Sequence, residues 1–446
     1  MSDAPWGGRR LHFIGIGGAG MSGLALVALG LGARVSGSDR AESSYSQRLR
    51  EAGIEPAIGH DPANLPEGAD VVVSTAIAED NPELAAARAA GLRVLHRGEL
   101  LGEVSRLKRC IAVGGTHGKT TTASMAAHAL VECGRRPAYL IGGEVRSTGT
   151  NASWGQGDWV VVEADESDRS FLRLEPDVAV VTNVELDHHS TYRTLPEVRE
   201  AFAAFAGPAP TVILPAGLEL RDVPPAVTFG IDTGTFAARD LELLPSGTRF
   251  SVEGVPVELR VPGRHNVLNA LAALAACREA GLGVAEAAPA LAGFSGAGRR
   301  FEPHGRTAAG ALVYDDYAHH PTEVRATLEA ARTLEPRRLV AVFQPHLYSR
   351  TQHLAREFGR ALALADLVVV IDIYPAREHA ADFPGVSGWL VAGATASAAA
   401  GRPVYWLPAM DEAERFLRRE LREGDLLLTL GAGDVNELAE RLGDDG

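Results

Sequence analysis

Lysine is almost missing from this chain. Of 446 residues, 43 are Lys or Arg, yet lysine stands only at Lys108 and Lys119, so arginine carries nearly all the positive charge. Cysteine is scarce too: Cys110, Cys133 and Cys277 are odd in number and have no metal-ligand spacing. That excludes a disulfide scaffold and fits a reduced setting. Basic excess is also lacking. The formal net charge of −14 argues against a nucleic-acid partner, because nothing in the balance would neutralise a phosphate backbone. No apolar run approaches the length of a membrane-spanning helix, and "MSDAPWGGRRLHFIGIGG" has neither the apolar core nor the cleavage site of a signal peptide. These absences lead to the expectation of a cytoplasmic protein with no membrane partner and no nucleic acid.

What is present reads as globular: 46% hydrophobic and 22% charged residues in a chain too long for one ordinary core. Short apolar runs alternate with helical patterns through "LHFIGIG", "GLALVALGLG", "RVSGSD" and "ADVVVSTAI". This alternation predicts an α/β fold with a parallel, doubly wound sheet. It fades near "GEVSRLKR", which sets a first, Rossmann-like domain at 1–108. A second unit, 109–298, runs from a glycine-rich loop through two buried-strand runs and a β-rich patch to "NVLNALAALAACREAG". The third, 299–446, alternates strand and helix again, making a C-terminal Rossmann-like domain. Ligands are expected beyond the carboxyl ends of the strands.

"GGTHGKTTTASM" follows the apolar run "CIAV" and precedes an alanine-rich helix. It is a P-loop one residue short, since Val113 stands where the usual pattern has its first glycine. The physics of the loop is intact. Gly115, Thr116, His117 and Gly118 can turn backbone N–H groups toward a phosphate, Lys119 can reach terminal phosphates, and Thr120 and Thr121 open the helix, with Thr120 able to ligate magnesium. A lysine retained here, in a chain that otherwise uses arginine, fits a compact point charge in a phosphate cradle.

A second glycine motif, "HFIGIGGAGMSG", places Gly15, Gly17 and Gly20 between strand and helix, with Asp39 closing the next strand. That spacing holds a diphosphate at a helix N-terminus, and NAD, a flavin nucleotide or a UDP-sugar satisfies it equally. Two phosphate loops in one chain point to a nucleotide-driven transferase or ligase. Phosphoryl transfer from ATP needs magnesium. Thr120 and Glu163, at the end of "WVVVE", are candidate ligands, with Asp165 and Glu166 on the same turn. "VAVVTNVELDHH" brings Asn183, Glu185, Asp187, His188 and His189 to the same sheet edge. Further on, "DDYAHHPTEV" reads as a strand end carrying Asp316, His319 and His320 before a helix opening at Pro321, and "FQPHLYSRT" leaves His346 and Arg350 on a loop. Asn266 is either a helix cap or a ligand contact.

In order, "GIGGAGMSGLA", "GTHGKTTT", "EADESD", "TNVELDH", "HNVLNALAA" and "DDYAHHPTEV" resemble the Mur ligases, the ATP-dependent amide ligases of bacterial peptidoglycan synthesis. The resemblance runs from about Leu11 to about Asn436. It implies ATP and Mg2+ as cofactors, and joining of L-alanine to the lactyl carboxylate of UDP-N-acetylmuramic acid through an acyl phosphate. Lys119 would hold ATP phosphates, Thr120, Glu163 and His188 the metal, Asn266 and Asn269 the nucleotide, Arg300 the phosphates and Asp316 the amino-acid side. The UDP-sugar would lie on Gly15, Gly17, Gly18, Gly20, Met21 and Ser22, with Asp39, Ser74 and Thr75 around it; His319, His320, His346 and Arg350 would complete the substrate contacts. Several relatives carry a carbamylated lysine after the metal-binding histidine, whereas "HSTYRTLPEVREAFAAFAG" has none. A monomer or weak homodimer is expected. The rivals are a recycling ligase that adds a preformed peptide to the same UDP-sugar, a nicotinamide-dependent oxidoreductase using the first loop alone, and a nucleotide sensor using the second.

Overall fold

The computed structural model describes residues 4–443. It divides into two compact units. The first runs up to Leu186 and adds Arg193–Ala237 and Asn269–Leu291; the second takes Asp187–Tyr192, Ala238–Leu268 and the chain from Ala292 onward.

Two sheets organise the first unit. One is parallel and five-stranded, in the order Ala57–Ile58, Arg34–Asp39, Arg10–Ile14, Asp70–Val73, Val94–His96. The chain leaves its middle strand, Arg10–Ile14, straight into the first glycine loop and the helix Ala19–Gly30. The other sheet centres on Arg109–Gly114, paired in parallel on one side with Trp159–Glu163 and on the other with Val178–Val181. Its register sets Val113 beside Glu163 and Gly114 beside Val181. The P-loop and the turns after both neighbours therefore leave one sheet edge together. These strands are buried on both faces, which is why they read as unbroken Val/Ile/Ala runs.

The second unit has an antiparallel meander, Phe236–Leu244, Gly247–Val252 and Val255–Leu259, whose first strand starts in the first unit. It also has a six-stranded sheet, ordered Glu302–Arg306, Leu312–Asp316, Asp425–Leu430, Arg338–Phe343, Leu367–Val370, Val404–Trp406. The first pair is antiparallel and the rest are parallel, with a buried apolar layer on each face. The helix Pro321–Arg332 starts where expected: Pro321 needs no N–H at the first position, His320 caps the turn, and Glu323 bonds back to the His320 backbone.

The chain is thus α/β in three sheet-based domains, as the alternation implies. All three cysteines are free thiols. Among the described residues no helix is long and apolar enough to cross a membrane. Lys108 is structural: its ammonium donates to the carbonyls of Gly155 and Gly157 and lies 4.4 Å from the centre of the Trp154 ring.

Candidate functional site

The P-loop is shaped by its glycines. Gly115 has φ +134° and a Cβ there would lie 1.9 Å from Thr182 Oγ1; Gly118 has φ +79° and a Cβ would lie 2.4 Å from Asn269 Oδ1. Neither position accepts a side chain. Asn183 clamps the turn between them, accepting from His117 N at 2.8 Å and donating to His117 O at 2.9 Å. Gly118 caps the helix Lys119–Glu132, so the first-turn N–H groups have no acceptor within the helix and face outward, as a phosphate site requires.

Lys119 Nζ lies 2.6 Å from Gly115 O, 3.1 Å from Thr116 O and 2.8 Å from Glu166 Oε2. Burial alone would lower its pKa, but Glu166, Asp165 and Glu163 outweigh that and raise it above the ordinary lysine value. The ammonium stays charged at any working pH. Thr120 Oγ1 donates to Glu163 Oε1 at 3.0 Å, and Glu163 Oε2 accepts from Gly142 N at 2.7 Å. An alcohol and a carboxylate side by side at the mouth of a phosphate loop are the hard oxygen donors that magnesium takes. Thr121 is buried in the first turn, and Asn269 accepts from Thr122 Oγ1 at 3.2 Å. Asn266 lies inside the helix Arg264–Glu279 rather than at its cap, donating to Pro262 O at 2.7 Å.

At the first glycine loop Gly15 takes φ +80°, and Gly15 N and Ile16 N both donate to Ser38 O. Asp39 Oδ2 accepts from Gly17 N at 2.9 Å, where a Cβ would sit 2.8 Å from Ser43 Oγ. Gly18 is the cap of the following helix. The side chains of Met21 and Ser22 are 3% and 1% exposed, and Ser22 Oγ donates to Ala19 O within its own helix. This turn presents backbone. Ser74 and Thr75 occupy the turn after Asp70–Val73, with Ser74 Oγ accepting from Ala76 N at 3.3 Å.

In the second unit, Asp316 ends its strand and accepts from Phe301 N and Ala318 N, both at 2.8 Å. Burial pushes its carboxyl up to about 6 against the pull of Arg300. Arg300 lies 5.1 Å from the Tyr317 ring and 3.9 Å from Glu323. His319 packs edge-on to Tyr317 and His346, and His346 stacks on Tyr374. Burial lowers His319 to about 4 and His346 to about 3, so both rings are neutral at pH 7. Arg350 departs from expectation. It lies not on a loop but in the first turn of the helix Tyr348–Leu362, which starts directly after Leu347, at φ +71°. Arg350 is 3% exposed and forms a two-pronged ion pair with Asp187 at 3.1 and 3.2 Å. Its guanidinium also reaches His346 Nδ1 at 3.1 Å. His188, at φ +52°, donates its N–H to Asp187 Oδ1 at 2.7 Å and belongs to this unit.

Some residues at these sites escaped the sequence reading. Arg97 meets Asp165 and Asp168 at 2.7 and 2.9 Å. Arg299 bonds Asp315 at 2.9 Å and the carbonyls of Gly431 and Gly433 at 2.8 Å. The signal for the second was the Gly-x-Gly-Asp stretch after the last buried strand; the first had none.

Three models of one family match most of the chain. Residues 10–109 match the Mur ligase family catalytic domain, 113–277 the Mur ligase middle domain, and 299–433 the Mur ligase glutamate ligase domain. A UDP-N-acetylmuramate–L-alanine ligase of Streptomyces coelicolor is 46% identical, covering 98% of this chain and 97% of its own. One from Acidithiobacillus ferrooxidans is 47% identical over 97% and 96%. Among solved structures, the UDP-N-acetylmuramate–alanine ligase of Thermotoga maritima superposes with a TM-score of 0.84 at 32% identity, covering 97% and 98%. A murein peptide ligase of Psychrobacter arcticus gives 0.71 at 27%, covering 98% of each chain. With two glycine loops, the lysine-threonine-glutamate cluster and all three domains in the family's order, this chain belongs to the Mur ligases.

Proposed function

We infer that this ligase joins L-alanine to the lactyl carboxylate of UDP-N-acetylmuramic acid while ATP becomes ADP and phosphate. The supporting observation is that both phosphate loops lie in one compact unit of a chain that is 46% identical, nearly end to end, to an alanine-adding relative. A carboxylate does not condense with an amine in water because its leaving group would be oxide. Transfer of the γ-phosphoryl group gives an acyl phosphate, and the neutral amine of alanine then displaces phosphate from it. Lys119 and the first-turn N–H groups would hold the phosphates, and Thr120 and Glu163 would hold magnesium; His188 is the further ligand that the family resemblance implies. When bound, the metal offsets charge on the transferring phosphoryl oxygens. Arg300 and the nucleotide contacts of Asn266 and Asn269 belong to the same reading. So do domain limits at 1–108, 109–298 and 299–446, a cytoplasmic location, and Asp316 on the amino-acid side. Addition of a preformed peptide is the second reading, favoured by the likeness to the murein peptide ligase but supported at lower identity.

ADP release, followed while sugar nucleotide and amino acid are varied separately, tests the reading. It is expected to need both UDP-N-acetylmuramic acid and L-alanine, because an acyl phosphate survives only where water is excluded. Vigorous ATP hydrolysis without the sugar, or equal use of a tripeptide, refutes it.

A further inference from the structure

Where the first glycine loop of the first unit passes into its helix lies a cavity of about 200 Å³, and Gly20, Gly142, Glu163, Asp165 and Arg97 contribute to its wall. Arg97 opens the helix Arg97–Ser105 and is the one basic residue in that wall. Its Nη2 alone bonds both Asp165 and Asp168. Nη1 donates to no protein group among the described residues and lies 3.3 Å from where a Cβ on Gly20 would be. The third glycine of the first motif thus leaves room for a guanidinium edge. The two aspartates fix the plane of that guanidinium, so the outward edge is held still before any ligand arrives.

We propose that Arg97 binds the carboxylate of the acceptor sugar and presents it for phosphorylation. This rests on the reaction inferred above. A sugar whose diphosphate lies on the Gly15–Gly20 loop must bring its carboxylate to the terminal phosphate near Lys119 and Thr120. Arg97 stands on that path: Gly20 is on one side, and on the other Asp165 follows Glu163, which bonds Thr120. A carboxylate oxygen placed against Nη1 keeps its second oxygen for attack on the γ-phosphorus. The P–O bond to ADP breaks as the new P–O bond forms, and no proton moves at Arg97, which stays a cation throughout.

Binding of UDP-N-acetylmuramic acid and of UDP-N-acetylglucosamine, which lacks the lactyl carboxylate, tests this. Both are titrated calorimetrically into the full chain with ADP and magnesium present. Wild type is expected to prefer the carboxylated sugar by tenfold or more, on the order of one charge-assisted hydrogen-bond pair. Arg97→Ala should erase that preference and leave affinity for the other sugar within about threefold. Arg97→Met, which keeps the apolar stem, provides the same comparison if the alanine variant is unstable. Equal weakening of both sugars, retained preference in the variants, or no preference in wild type overturns the proposal. Ligation of alanine by wild type is measured in parallel, so failure of the proposed reaction is seen separately.

Discussion

Replacing Lys119 by arginine keeps the charge and should still disable the enzyme. Three acceptors converge on Nζ: Gly115 O at 2.6 Å, Thr116 O at 3.1 Å and Glu166 Oε1 at 3.1 Å. An ammonium satisfies such a tripod because its donors point tetrahedrally, whereas a guanidinium spreads its donors in one plane and is wider than the space enclosed. Arginine must therefore bond Glu166 from outside the loop and withdraw from the phosphates. Losing an electrostatic contact to a transferring phosphoryl group costs about 3 kcal/mol of barrier, roughly a hundredfold in turnover. Stability should separate arginine from an apolar replacement. Glu166 is 1% exposed, and Lys119→Met takes away the cation beside it, at a cost of about 3–5 kcal/mol. Lys119→Arg retains a cation there and should unfold within about 1 kcal/mol of wild type. Phosphate release and urea denaturation, run on both variants, give the two quantities. An arginine variant with near-normal turnover would falsify the tripod argument, and a methionine variant as stable as wild type would remove its electrostatic half.

Two further expectations concern pH and carbon dioxide. Asp316 has its folded pKa raised to about 6 by burial, from an ordinary 3.8, so it stabilises the fold while protonated and loses that contribution as pH rises through about 6. Against Asp316→Asn, urea midpoints of wild type should fall between about pH 4 and 6, and parallel midpoints would refute the shift. Activity should be indifferent to removal of carbon dioxide and bicarbonate, since no lysine follows His188 and Lys108 is engaged by Gly155 and Gly157. Activity lost in carbon-dioxide-free buffer and restored by bicarbonate at constant pH would overturn this.

Both glycine loops were legible because each is a local device, with strand, turn and helix dipole written in about a dozen consecutive residues. The alternation of apolar runs likewise gave three α/β domains, since a strand buried on both faces has little choice of composition. What stayed hidden were pairings across long sequence separations. Arg97 and Asp165 lie 68 residues apart, and Asp187 and Arg350 lie 163 apart. Nothing in either local sequence sets one charge against the other. The misplacement of Arg350 has the same origin: "HLYSRT" offers no recognisable cap, and Leu347 supplies the turn through a left-handed backbone that a leucine rarely adopts.

The scarcity of lysine makes this chain unusually easy to watch. Isotope labelling of lysine alone would yield two side-chain ammonium signals, Lys108 and Lys119, in a chain of 446 residues. Their surroundings move them in opposite directions: burial lowers Lys108, while Glu166 and its neighbours outweigh burial at Lys119 and raise it. A pH titration would therefore assign the two without mutagenesis. Lys108, pinned under Trp154, then serves as an internal reference, and the Lys119 resonance becomes a direct reporter of what occupies the phosphate loop at each stage of turnover.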